Sequence, residues 1–350
     1  MFKHFSGILG LDVGIDLGSA NIVVYVKDKG IVLSEPSAVA VRKLPRSKGL
    51  EVIAVGHDAK AMSGKVPDGV EAIWPLRDGV IANFDMTEEL IKYCLKRVSG
   101  NGNFVHPRVV ISVPAEVTEV ERKAVVDATL GAGASEAYVV EEPISAALGV
   151  GLPIDKPNGC MIIDIGGGTS EVSVISLGGI VVTSSLRTAG KMMDNAIIAM
   201  IRQRYALLIG ETTAEEVKNT IGSALPLNPE LEMNVKGRDL SAGLPKSDKV
   251  SSVEVREAME PIFTGIEDMV KVALEKMPPE LAKDVVDRGV ILTGGVALMR
   301  GFDERLSRAI NTPVIVSEQP LYSVALGVGK ILDNLGTMRR AIFSVERGSR

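Results

Sequence analysis

Cysteine is scarce in this chain: two residues in 350, Cys94 and Cys160, each inside an apolar pattern. That excludes a disulfide framework or a thiolate metal cluster, and reduced, buried thiols of a cytosolic protein are expected. A basic excess is missing too, since 39 Lys and Arg against 44 Asp and Glu leave a net charge of −5. Nucleic-acid binding favours a basic patch, so no nucleic-acid partner is expected. No apolar run approaches the roughly 20 residues of a bilayer span. The first ten residues, MFKHFSGILG, lack the apolar stretch and cleavage site of a secretory signal. They do place Phe2, Phe5, Ile8 and Leu9 toward one side of a short helix, beside Lys3 and His4. Such a segment suits a bilayer interface; the alternative is a frayed terminus or one that packs on its own domain.

What is present points to a soluble α/β protein of two domains. Hydrophobic residues make up 46% and charged residues 24%, ordinary globular values, and 350 residues exceed the size at which single cores stop growing. Two runs look like copies of one device: Ile15-Asp16-Leu17-Gly18-Ser19-Ala20-Asn21 and Ile163-Asp164-Ile165-Gly166-Gly167-Gly168-Thr169. In each, an apolar strand ends in an Asp, turns through glycine and resumes as a second apolar strand. Backbone N–H groups in such a turn suit phosphate, and an Asp beside it suits a metal ion. A third turn, Gly294-Gly295, follows the apolar run Gly289–Leu292. One glycine turn alone joins strands in many folds; two Asp-headed copies and a third turn suggest a nucleotide clamped between two lobes.

The rest of the chain alternates strands and helices. Strands are expected over 12–26, 31–42, 108–113 and 138–140, and a hairpin over 161–186. The nearly continuous apolar run at 108–113 suits the middle of a sheet. Helices are expected over 87–98, after the capping-box pattern Thr118-Glu119-Val120-Glu121, over 144–148, 191–208 and 301–310, and over 253–277 with a bend or break at Pro261. The stretches 44–79 and 211–250 read as insertions.

The segments GIDLGSANIVVYV, VVISVPAEVTEVERKAVVDA, VVEEPISAALGVGLPI, MIIDIGGGTSEVSVISLGGIV and RGVILTGGVALMRGFDERL carry a resemblance over about residues 11–335. They resemble the phosphate and adenosine motifs of the actin, heat-shock chaperone and sugar-kinase superfamily, and within it the bacterial actins of the MreB family. The resemblance implies an actin-like fold: two related RNase H-like domains with mixed sheets flanked by helices, each with a smaller insertion, and a nucleotide in the interdomain cleft. It divides the chain into subdomain IA (1–34, 75–148 and 318–350), IB (35–74), IIA (149–187 and 252–317) and IIB (188–251).

The family implies ATP and Mg2+ as cofactors. It implies paired self-assembled protofilaments at the inner face of the cytoplasmic membrane, membrane proteins of the cell-elongation machinery as partners, and guidance of cell-wall synthesis toward a rod shape. Carried over residue by residue, Asp16 and Asp164 hold the ion largely through water. Gly18, Ser19, Ala20, Asn21, Gly166, Gly167, Gly168 and Thr169 surround the phosphates. Glu142 positions the attacking water, helped by Thr169; read without the resemblance, Glu142 is rather a helix-start residue ahead of Pro143. Glu215 and Lys218 flank ribose and base, or form an exposed helix pair. Gly294 and Gly295 admit the adenine. Phe104 and Val105 stand where the family has a membrane loop, joining Phe2, Phe5, Ile8 and Leu9.

Three positions depart from the family pattern: Ile22 replaces a hydroxyl residue near the phosphates, Val296 replaces a third glycine, and Gln319 stands where an acid is common. The rival readings are a sugar-kinase-like enzyme, whose polar sugar-binding set is not found; a chaperone, whose substrate domain is not found; and a specialised filament for organelle or plasmid positioning.

Overall fold

A computed structural model describes residues 11–44, 49–99, 106–335 and 343–345. The chain forms two compact units, one of Met1–Cys160, Val174–Val181 and Leu321–Arg350, the other of Met161–Ser173 and Val182–Pro320. In the first, a six-stranded sheet runs in the order Phe343–Val345, Glu136–Glu141, Arg108–Val113, Asp12–Leu17, Asn21–Val26, Gly30–Pro36. Arg108–Val113 lies between parallel partners on both sides, and Val109, Val110 and Ile111 are fully buried. The nearly continuous apolar run is explained by that position, where both faces of the strand are covered. Its register on Asp12–Leu17 is held by a two-pronged ion pair: Arg108 Nε and Nη2 donate to the Asp12 carboxylate at 2.8 and 2.7 Å.

The second unit's five-stranded sheet repeats the same plan. Its order is Gly179–Leu186, Ser170–Ser176, Cys160–Ile165, Val290–Thr293, Val314–Val316. Cys160–Ile165 takes the place of Asp12–Leu17, and Val290–Thr293 that of Arg108–Val113, again with parallel partners on both sides. Asp16 and Asp164 therefore occupy the same position, fifth of six, in equivalent strands. Each unit also carries a small three-stranded sheet: Leu50–Val55, Val39–Lys43 and Val70–Ile73 in the first; Leu207–Leu208, Glu232–Asp239 and Pro245–Ser251 in the second. They overlap the two stretches read as insertions, 44–79 and 211–250, but Val39–Lys43 and Leu207–Leu208 precede those bounds.

Helix Ser323–Asp333 covers the first sheet by means of missing side chains. A Cβ on Gly14 would stand 2.7 Å from Val328 Cγ1, and one on Gly329 2.6 Å from the Tyr25 ring. The same helix meets Glu142–Gly149 at backbone contact, because a Cβ on Gly327 would lie 1.7 Å from the Ser145 carbonyl oxygen and one on Gly149 1.8 Å from that of Ser323. Lys330 Nζ closes the end of the shorter helix by donating to Leu148 O at 2.7 Å. Gly327→Ala is expected to force the two helices apart and cost about 3 kcal/mol, near the upper end for overpacking; urea unfolding checks it, and an unchanged midpoint refutes the contact.

Two expectations are corrected. The 31–42 stretch is not one strand: it ends at Pro36 and restarts at Val39 in another sheet. Pro36 lacks the N–H that a continuing ladder needs, and Ser37 N donates instead to Ala20 O at 2.9 Å. Of the bend or break expected at Pro261, the break does not occur: Ser252–Lys276 runs as one helix through it. Proline forfeits one backbone bond there, while Met259, Ile262, Phe263 and Ile266 stay buried across it. The Thr118–Glu121 capping box is present as read.

Candidate functional site

In the first unit the turn after Asp16 is braced from outside. Ser37 Oγ donates to Gly18 O at 2.6 Å, and Gly79 N donates to Ser19 Oγ at 2.8 Å. Ser19 is buried, while Asn21 is exposed. Gly18 has no room for a side chain, since a Cβ would meet Asn21 O at 2.7 Å. Asp16 sits beside Ser112, whose Oγ donates to Asp16 Oδ1 at 3.3 Å. Ile22 is fully buried, so the hydroxyl it replaces would face the core.

Glu142 is the first residue of helix Glu142–Gly149, followed by Pro143, and strand Glu136–Glu141 delivers it there. A helix start favours negative charge and suits proline, whose missing N–H is not needed. The neighbouring Glu141 is pushed above the usual carboxylate range by burial, and the Arg122 guanidinium opposes that shift.

In the second unit the turn after Asp164 closes on itself, with Gly166 N donating to Thr169 O at 2.9 Å. It is also tied to the start of helix Gly190–Tyr205: Gly190 N donates to Gly166 O at 3.2 Å and Lys191 N to Gly167 O at 2.8 Å. Burial pushes the Asp164 carboxyl up to about 7, although its residue keeps some solvent contact. Gly294 adopts φ 85° and lies against it, with a Cβ there only 2.4 Å from Asp164 Oδ1.

Lys218, from helix Glu211–Ile221, does not make the exposed pair with Glu215. Its ammonium lies 2.8 Å from Asp194 Oδ1, with side-chain exposures of 11% and 13%, and donates to Gly190 O at 3.2 Å. Val296 is buried; its Cγ2 would stand 3.5 Å from a Cβ on Gly190. Gly166, Gly190, Lys218 and Val296 thus converge, and Gly295 opens the adjacent short helix Gly295–Leu298. Sequence reading missed Ser37, Gly79, Gly190 and Asp194, none of which stands at a local spacing from the residue it supports.

A divalent cation fits this donor set. A desolvated carboxylate such as Asp164 gains from a cation beside it. Among the described residues no group of three or more His, Cys, Asp or Glu could hold a metal ion, so an ion here would take its remaining ligands from water and phosphate, as magnesium does. Phe2, Phe5, Ile8, Leu9, Phe104 and Val105 lie outside the described residues. Among the described residues no helix is long and apolar enough to cross a membrane.

Two sheets of one plan, each with an Asp-headed glycine turn, define an actin-like fold. The chain matches the MreB/Mbl protein family model over residues 10–340 and belongs to that family. It is 47% identical to the cell shape-determining protein MreB of Escherichia coli, over 99% of this chain and 100% of that one. It is 45% identical to the cell shape-determining protein Mbl of Bacillus subtilis, over 95% and 99%. Among solved structures it is similar to MreB 5 of Spiroplasma citri bound to AMPPNP, with a TM-score of 0.87, 37% identity, and 93% and 97% of the two chains covered. The MamK double helical filament is similar in fold, with a TM-score of 0.77, 21% identity, and 92% and 98% covered.

Proposed function

We propose that this protein is an ATP-dependent, actin-like cytoskeletal protein that polymerises into membrane-associated filaments and directs cell-wall synthesis to set a rod shape. The observation that carries this reading is the pair of Asp-headed glycine turns at equivalent strand positions, in a chain 47% identical over nearly its whole length to a cell shape-determining protein. Gly18, Ser19, Ala20 and Asn21 in one unit, and Gly166 to Thr169 in the other, receive the phosphates of ATP. Asp16 and Asp164 hold Mg2+ largely through water; the ion supplies neutralisation of phosphate charge. Glu215, Lys218, Gly294 and Gly295 receive the nucleoside.

Glu142 accepts a hydrogen bond from the attacking water and aims it, helped by Thr169, and hydrolysis times filament turnover without a separate substrate. Filaments are paired and lie on the inner face of the cytoplasmic membrane, held by Phe2, Phe5, Ile8 and Leu9 and by Phe104 and Val105. Each anchor is weak alone and gains by repetition along the filament. Membrane proteins of the elongation machinery are the expected partners.

The test is sedimentation and imaging of the purified protein with ATP and magnesium, with ADP and without nucleotide, each with and without anionic liposomes. Nucleotide-dependent filaments enriched on liposomes are expected. A monomer under every condition, despite measurable ATP binding, overturns the filament reading.

A further inference from the structure

We propose that Asp194 is a positioning residue for nucleotide recognition, fixing Lys218 so that its ammonium acts as an aimed hydrogen-bond donor to the nucleoside. The inference rests on the reading of Lys218 as a nucleoside contact. Asp194 and Lys218 come from different helices, Gly190–Tyr205 and Glu211–Ile221, and no sequence spacing links the two. Their side chains are only 13% and 11% exposed. An ion pair so shielded bears a desolvation cost that its own attraction need not recover, which makes it a weak stabilising device. Its geometry gives a better reason for it.

The Lys218 ammonium is held from two sides, by Asp194 Oδ1 at 2.8 Å and by Gly190 O at 3.2 Å. Gly190 N in turn donates to Gly166 O at 3.2 Å. Gly190 O shares its peptide group with Lys191 N, which donates to Gly167 O at 2.8 Å, so a continuous chain runs from the phosphate turn through that peptide group to the lysine. Gly190 sits closely among these groups: a Cβ there would be slightly tight against Gly166 O at 3.3 Å and in ordinary contact with Lys218 Nζ at 3.4 Å and Val296 Cγ2 at 3.5 Å. An ammonium has three N–H donors, so at least one is left after Gly190 and Asp194 are served. Unpaired, a lysine this close to the turn would be drawn to the phosphates as a mobile point charge. Paired with Asp194, it is compensated and fixed, and its remaining donor suits a neutral acceptor such as a ribose hydroxyl or a ring nitrogen.

The experiment is a double-mutant cycle on the full chain, with the affinity for magnesium ATP read by calorimetry and folding checked by thermal unfolding without nucleotide. Asp194→Asn and Lys218→Met are each expected to weaken binding about tenfold. The double variant is expected to be no weaker than Lys218→Met alone, an interaction that a merely structural aspartate would not show. Multiplicative losses, or parental affinity in Asp194→Asn, overturn the inference while leaving the nucleotide-binding reading intact. Failure of the parent protein to bind ATP overturns both. Should Asp194→Asn not fold, Asp194→Glu carries the test: the extra methylene pushes the ammonium off Gly190 O and lowers affinity in the parent background but not beside Lys218→Met. Equal affinity in the parent background again overturns the inference.

Discussion

Glu142→Ala is expected to assemble with ATP as the parent does and to hydrolyse it at least about 100-fold more slowly, the lower range for loss of a general base. The carboxylate stands at the start of Glu142–Gly149, directly after a strand held in parallel register against Arg108–Val113, so its backbone is fixed before any ligand arrives. Pro143 narrows the first turn further. Removing the side chain takes away the acceptor for the water, and loss of an acidic residue at a helix start costs about 0.3–1 kcal/mol. Single-turnover phosphate release, beside a thermal unfolding curve, separates the two effects. Glu141 is the natural control, because it is the adjacent carboxyl, partly buried and already engaged by the field of Arg122. Parental phosphate release from Glu142→Ala refutes the assignment, and a large loss in Glu141→Ala instead would move it by one residue.

The parts of the fold that were legible in the sequence are those whose cause is local. The run at 108–113 is apolar on both faces because it lies inside the sheet, and that is visible without a structure. The Thr118–Glu121 box is a contact three residues long. The two Asp-headed hairpins are legible for the same reason: strand, turn and strand are contiguous, and their repetition already implied two units of one plan. What was hidden depends on distance along the chain. Nothing near Pro36 announces that Ser37 will brace Gly18, or that Gly79 will reach Ser19 across 60 residues. The crossing of Gly149 and Gly327 is equally invisible, since each glycine looks like an ordinary small residue in its own helix. Pro261 misled in the opposite direction: a local breaker was overridden by the buried face of a long helix.

The site divides along the same line. The loops themselves were legible because strand, Asp and glycine turn are contiguous. Support residues were not, and Lys218 shows why: its nearest acid in helical spacing is Glu215, yet its ion pair is with Asp194 on another helix. Val296 stands where the family has a third glycine, and its buried side chain packs beside Gly190, a neighbour 106 residues away that local pattern does not show.

Asp164→Asn is expected to have opposite effects on the ligand-free and the nucleotide-bound protein. Burial lifts this carboxyl to about 7, above the value of about 3.9 that it has in an unfolded chain. Below the unfolded value both states are protonated and burial costs nothing. As pH rises toward 7 the unfolded chain releases its proton first, and the ligand-free fold loses stability progressively; above about 7 the loss is complete. Asparagine carries no charge to desolvate. At pH 8 the ligand-free variant should therefore be more stable than the parent, by roughly 2 kcal/mol once solvent contact is allowed for. With magnesium ATP the order reverses, because the cation turns a costly carboxylate into a useful one. The variant should bind magnesium ATP about 100-fold more weakly, equivalent to about 3 kcal/mol for removing one member of a desolvated charge pair. Parental affinity should also rise with pH up to about 7, since the ion must displace a proton, while the variant lacks that component. Calorimetry at pH 6 and pH 8 reads both effects. A variant that keeps parental affinity and the same pH dependence takes Asp164 out of the metal site, and one that is destabilised without ligand shows that its carboxylate is compensated by the fold itself.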